Sequence, residues 1–173
     1  MDRQLFVGLA ALLSSVSASP NVVYAQSAIE HHVWQDKRIF QAFSHTSTAI
    51  TGSIGLSGNP NFATKGSKMI LTFGNGKAVQ LIQVGAAWRK FSLVTDEKVT
   101  AEIFRMDHDP GKLENGNSLC GGKQSKTPIY IVFFEGSILG GTPLLETAVF
   151  QSRKIPNDRD SAGLCGTFNY SIN

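Results

Sequence analysis

Cysteine, histidine and charge are all scarce in this sequence, and each scarcity removes a class of protein. Two cysteines and four histidines in 173 residues leave little material for a metal centre. Two thiolates cannot complete a tetrahedral site by themselves, and neither Cys-x-x-Cys nor Cys-x-x-Cys-His occurs. Charged residues make up 17% of the chain against 42% hydrophobic, at a mean hydropathy of −0.04, which is too apolar for intrinsic disorder and enough to bury a core. No run of 18 apolar residues is present, so no transmembrane helix is expected. Strong helix formers are also sparse, while 17 Gly and 11 Phe favour strands and turns.

The N-terminus carries an address. Arg3 precedes nine apolar or small residues at 5–13, and Val23-Tyr24-Ala25 supplies small residues before a cut. Residues 1–25 are therefore expected to be a secretory signal peptide, with Val16-Ser17-Ala18 as a second possible site, disfavoured by Pro20 close behind it. The implied location is periplasmic or secreted. Under oxidising conditions an even cysteine count reads as a disulfide, Cys120 with Cys165.

After the leader, residues 26–38 are polar and read as an arm or short helix. The remaining 39–173 read as one β domain. Ile50, Gly52, Ile54 and Leu56 alternate with polar or small residues, the period of a half-buried strand. Gly74-Asn75-Gly76-Lys77 between two apolar runs predicts a tight hairpin. Residues 91–94 and 99–104 read as two further strands. Residues 129–134 are apolar at every position, so that strand is expected to be covered on both faces. With 144–150 and 164–170 the set amounts to about eight or nine strands and no crossover helix, an all-β antiparallel barrel or sandwich. Eight-stranded outer-membrane barrels share this length and alternation. Their strands are longer than the five to seven residues read here, and they do not bury both faces of a strand.

The segments Ala49-Ile50-Thr51-Gly52, Leu71-Thr72-Phe73-Gly74-Asn75-Gly76-Lys77, Asn115-Gly116-Asn117-Ser118-Leu119-Cys120-Gly121 and Leu164-Cys165-Gly166-Thr167-Phe168-Asn169-Tyr170 resemble a group of small exported proteins of rhizobia-type alphaproteobacteria. The likeness covers about residues 40–170. It implies the exported compartment and the paired cysteines, and carries no implication about catalysis.

No catalytic residue or cofactor emerges from the motifs. Gly52-Ser53-Ile54-Gly55 lacks the strand-to-helix context of a nucleophile elbow, and the hydroxyl-rich run around it reads as an exposed β face. In Asp107-His108-Asp109, ahead of Pro110-Gly111, adjacent side chains suit backbone capping better than a metal ion. Two charged surfaces remain. Residues 37–95 contain seven cations and no acid, and Lys65, Lys68, Lys77, Arg89 and Lys90 are expected to form a wall for an anionic partner. Asp107, Asp109, Glu114, Asp158 and Asp160 lie on two loops that lead into the cysteines, and they are expected to share a rim. The function implied is a non-enzymatic exported module that binds an envelope component, an anionic polysaccharide or lipid, with no nucleic-acid partner. The alternatives are a small periplasmic or secreted hydrolase and a structural or host-interaction protein. A polar interior pocket would favour an enzyme; a filled interior would favour a binding surface.

Overall fold

The computed structural model describes residues 31–58, 65–121, 126–138 and 141–172. The expected signal segment 1–25 and residues 26–30 of the expected arm lie outside them.

Eight antiparallel strands follow one another around a closed barrel: β1 Ile39–Ala42, β2 Ile54–Ser57, β3 Lys68–Thr72, β4 Ala78–Arg89, β5 Val99–Met106, β6 Ile129–Ser137, β7 Pro143–Gln151 and β8 Leu164–Ser171. Each strand pairs with its sequence neighbour, and β8 returns to β1 through Gln41 opposite Ser171 and Ala42 opposite Tyr170. The sequence leaves barrel and sandwich open; pairing of β1 with β8 makes it a barrel.

Alternation fills the interior. Phe40, Ile54, Leu56, Leu71, Leu81, Phe104, Ile131, Phe133, Leu145, Val149 and Phe168 belong to one buried cluster. Outward-facing Lys68 on β3 and Arg105 on β5 are exposed. An apolar inside with charge outside is the reverse of a barrel that spans lipid. Strand β6 is buried on both faces, as expected: Ile129, Ile131 and Phe133 enter the barrel, while Tyr130, Val132 and Phe134 join a second cluster on the outer wall with Phe91, Ile103, Ala148 and Phe150.

Both mouths of the barrel are closed. At one end, residues 107–121 form a lid. Leu113 and Leu119 drop into the interior cluster, Lys77 Nζ donates to the carbonyls of Pro110 (3.0 Å) and Lys112 (2.6 Å), and Asn117 Nδ2 donates to Ala49 O at 2.8 Å. The Cys120–Cys165 disulfide, with Cα atoms 4.8 Å apart, ties the end of this lid to the start of β8. Cys120 sits in a turn and not at the head of a strand. At the other end, the arm forms a 3₁₀ turn, Val33–Gln35, that buries Trp34 among the interior residues. His32 stacks on the Trp34 ring with centroids 4.3 Å apart, and the Val33 N–H donates to Glu135 Oε1 at 2.9 Å.

One expected strand begins later than expected, and another is not a strand. Residues 47–51 wind into a π-helical turn, so β2 begins only at Ile54. The cause is the hydroxyl run. Ser47 N–H donates to Ser44 Oγ, Ser47 Oγ to Ser44 O, and Thr51 Oγ1 to Ser47 O, an alternative set of backbone bonds that competes with a ladder. Ser47 and Thr51 are buried, so this run is not an exposed β face. Residues 91–94 instead form part of the turn between β4 and β5. Phe91 and Ser92 are buried on the outer wall, and Leu93 and Val94 are exposed.

That turn is clamped by the loop 152–163, which leaves the lid end and runs along the outer wall to meet it. Arg159 donates from its backbone N–H to Lys90 O, from Nη1 to the carbonyls of Ser92 and Thr95, and from Nη2 to Asp96 Oδ1 at 2.7 Å. Lys90 Nζ holds the other oxygen of Asp96 at 2.5 Å, and Lys90 first and Arg159 second keep the Asp96 carboxyl below its ordinary range. Ser92 Oγ donates to buried Glu146 on β7, whose carboxyl is pushed upward by burial. Replacing Arg159 with Ala is expected to remove the clamp and cost about 1.5–3 kcal/mol, the range for hydrogen bonds to a charged group. Amide exchange at residues 92–96 should then accelerate relative to the rest of the barrel. Unchanged exchange there would mean that Phe91, Ser92 and the Lys90–Asp96 pair hold the turn without Arg159.

Candidate anion-binding groove

With the interior occupied by the buried cluster, the concave surfaces among the described residues lie outside it, on the wall and on the lid. A groove of about 940 Å³ lies where β4, β5 and β6 approach the lid, bordered by Ile82, Arg105, Asp107, Asp109, Lys126 and Pro128.

Strand register builds its charge. Lys68 pairs with Ile82, Ile82 with Arg105, and Arg105 with Tyr130. Directly opposed residues on one face have Cβ atoms about 4.5–5.5 Å apart. Lys68 and Arg105, 37 positions apart in the chain, therefore flank Ile82 on the outer face. Lys126 borders the same groove. All three cations are exposed, and no ion pair within the barrel claims them among the described residues.

The acids at the upper margin are engaged. Asp107 Oδ1 accepts the N–H groups of Gln80 (3.0 Å) and His108 (2.9 Å), with His108 Nδ1 2.8 Å away. Asp109 Oδ1 accepts the Gly111 N–H at 2.8 Å. These are the capping bonds expected of this turn; each engages one carboxylate oxygen with the backbone and leaves the charge at the groove margin. Among the described residues no three His, Cys, Asp or Glu side chains converge as metal ligands.

The five cations singled out in the sequence are dispersed. Lys77 is spent on the lid and Lys90 on Asp96, while Arg89 ends β4 and donates to Trp88 O. Lys65 lies in the turn before β3, near Lys68. Of the five, only Lys68 stands beside the groove, where it meets Arg105 and Lys126 from the half of the chain with an acidic balance. Counting charge along the chain passes over Arg105. Its outward parity between buried Phe104 and Met106 is the signal that could have found it.

The acids divide similarly. Asp107, Asp109 and Glu114 belong to the lid, where the Glu114 carboxylate fills the space beside Gly52 and Gly74. Asp158 bonds the Ser161 hydroxyl and the Asp160 N–H on the loop that runs down the wall. The disulfide joins the two loops at their roots, and no hydrogen bond or ion pair among the described residues links the two acidic sets.

No protein-family model, curated protein or solved structure matches this chain.

One ionisable group in the interior stands apart from the groove. Glu102, on the inner face of β5, is 6% exposed, and burial pushes its carboxyl up to about 7. The indole N–H of Trp34 approaches it and moderates that rise without reaching full hydrogen-bond geometry, so Trp34 Nε1 and Glu102 Oε2 are both buried without a hydrogen-bond partner. A carboxyl whose proton is held more tightly by burial, beneath an aromatic plug, is a structural arrangement; Glu135, two residues along β6 from its cross-strand partner Phe133, accepts the Val33 N–H of the same plug.

Proposed function

We propose that the protein is an exported, non-enzymatic barrel that binds an anionic envelope polysaccharide along its outer wall. The observation that carries this reading is the cross-strand row Lys68, Ile82, Arg105 at the lip of the groove, with Lys126 beside it. An open groove with spaced cations and an apolar strip of Ile82 and Pro128 suits a flexible chain of acidic sugars. Carboxylates meet the cations, bidentately at Arg105, and the less polar faces of sugar rings lie on the strip. A flat bilayer could not reach into the groove, which favours a polymer over a lipid at this position. The filled interior favours surface binding over catalysis within the barrel.

The test is binding of the disulfide-intact protein to polygalacturonate and to uncharged dextran at 50 and 500 mM salt. Wild type is expected to bind the polyuronate at low salt and to release it at high salt, since screening shortens from about 14 to about 4 Å. Lys68→Gln/Arg105→Gln/Lys126→Gln should weaken binding roughly tenfold, three exposed pairs at about 0.5 kcal/mol each. Equal binding by the triple variant, salt-independent binding, or equal retention on dextran would refute the reading.

A further inference from the structure

A second surface, away from the lid, differs in chemistry from the groove. Leu93 is 55% exposed, Val94 58% and Trp88 62%. Leu93 and Val94 stand in the β4–β5 turn and Trp88 on the strand that enters it. Exposed Ile155 borders, with Trp88, a groove of about 520 Å³ beside the turn. Turn positions normally carry Gly, Asn, Asp or Ser, and the β3–β4 turn of this barrel does so with Gly74-Asn75-Gly76-Lys77. Two branched aliphatics in solvent are the opposite choice.

The turn is also built to hold them there. Phe91 and Ser92 anchor it in the outer cluster, Ser92 Oγ accepts the N–H groups of Val94 and Thr95, and Arg159 grips it from the neighbouring loop. A rigid presentation lowers the ordering cost of docking. Charge specifies what docks. Arg89 and Lys98 flank the apolar residues, with Lys98 Nζ 4.8 Å from the centre of the Trp88 ring. Of the two acids nearby, Asp96 is neutralised between Lys90 and Arg159, leaving Glu97 as the acidic exception. Aliphatic side chains on a clamped turn, an amphipathic indole and flanking cations together match the boundary between acyl chains and anionic headgroups.

We propose that Leu93 and Val94, with Trp88, Arg89 and Lys98 around them, seat the barrel on an anionic lipid surface. The aliphatics enter the headgroup region, Trp88 lies at the interface, and the cations meet lipid phosphates. This docking is independent of the polysaccharide groove.

The experiment is co-sedimentation of the disulfide-intact protein with vesicles of phosphatidylcholine alone or with 30 mol% phosphatidylglycerol. Trp34 is 1% exposed, so bromine-labelled lipid near the interface quenches Trp88 and spares Trp34. Binding to the anionic vesicles only, with Trp88 fluorescence quenched, is expected. Leu93→Ser/Val94→Ser should lower it at least about tenfold without changing thermal stability, since both side chains are exposed in the barrel. The groove variant Lys68→Gln/Arg105→Gln/Lys126→Gln should keep vesicle binding, which separates this proposal from the preceding one. Absence of binding, undiminished binding by the serine variant, unquenched Trp88, or loss confined to the groove variant would each overturn it.

Discussion

Opening the Cys120–Cys165 bond is expected to lower the unfolding free energy by about 4 kcal/mol, the loop-closure value for its separation of 45 residues. The bond does more than shorten the unfolded chain, because it fastens a lid whose Leu113 and Leu119 complete the interior. Cys120→Ser/Cys165→Ser should therefore expose the lid before the barrel unfolds. Amide exchange at residues 107–121 is expected to rise first, and the denaturant midpoint is expected to fall by roughly 1–2 M urea, taking a slope of about 2–3 kcal/mol/M. An unchanged midpoint would overturn the loop-closure value, and unchanged exchange at 107–121 would mean that Lys77 and the asparagine contacts to Ala49 suffice to hold the lid.

The second large effect is at Glu102. Its carboxyl holds a proton more tightly in the barrel than in the unfolded chain, with the pKa raised from an ordinary 4.5 to about 7. The folded state therefore binds more protons than the unfolded state between those values, and stability falls as pH rises from 4.5 through 7. Below 4.5 both states are protonated and the penalty vanishes; above 7 it is fully present. Its size is about 2–3 kcal/mol, since each pH unit separating the folded and unfolded values is worth about 1.4 kcal/mol, with an allowance for solvent reaching the barrel mouth. Glu102→Gln keeps the size of the side chain and removes the charge, so it should be more stable than wild type at pH 8 by about that amount, near 5–10 °C in Tm. The advantage should disappear at pH 4. Glu146 also has a raised carboxyl, but it is common to both proteins and cancels in the difference. A stability difference that does not change between pH 4 and 8 would show that Glu102 carries no charging cost beneath Trp34.

The disulfide and Glu102 differ in how far the sequence foretells them. An even cysteine count, read with the expectation of export, anticipates the bond, and the pairing follows because only two cysteines exist. Nothing comparable anticipates Glu102. Its period-two position says that it shares a face with Phe104, while the plug above it comes from Trp34, 68 residues earlier. Residues 91–94 mislead for a related reason. Phe-Ser-Leu-Val has the composition of a strand, but β4 already extends to Arg89, and Arg159 supplies the bonds that a ladder would have made. At residues 47–51, side-chain hydroxyls divert the backbone from the strand that their β-branched neighbours suggest.

The sequence alone determined the all-β class, the Gly74–Lys77 hairpin, the double burial of residues 129–134 and the single disulfide. Each rests on information within a few residues, on periodicity, turn chemistry or a count. Tertiary structure decided the closure of β8 onto β1, the two plugs and the charge pattern of the wall. Cross-strand register puts Lys68, Ile82 and Arg105 side by side, whereas summing charge along the chain groups Lys68 with Lys77 and Lys90. The barrel then engages Lys77 with lid carbonyls and Lys90 with Asp96, so neither remains on an open cationic face. Neighbours on a sheet are set by pairing and shear, which depend on all eight strands closing together, and no segment carries that information by itself.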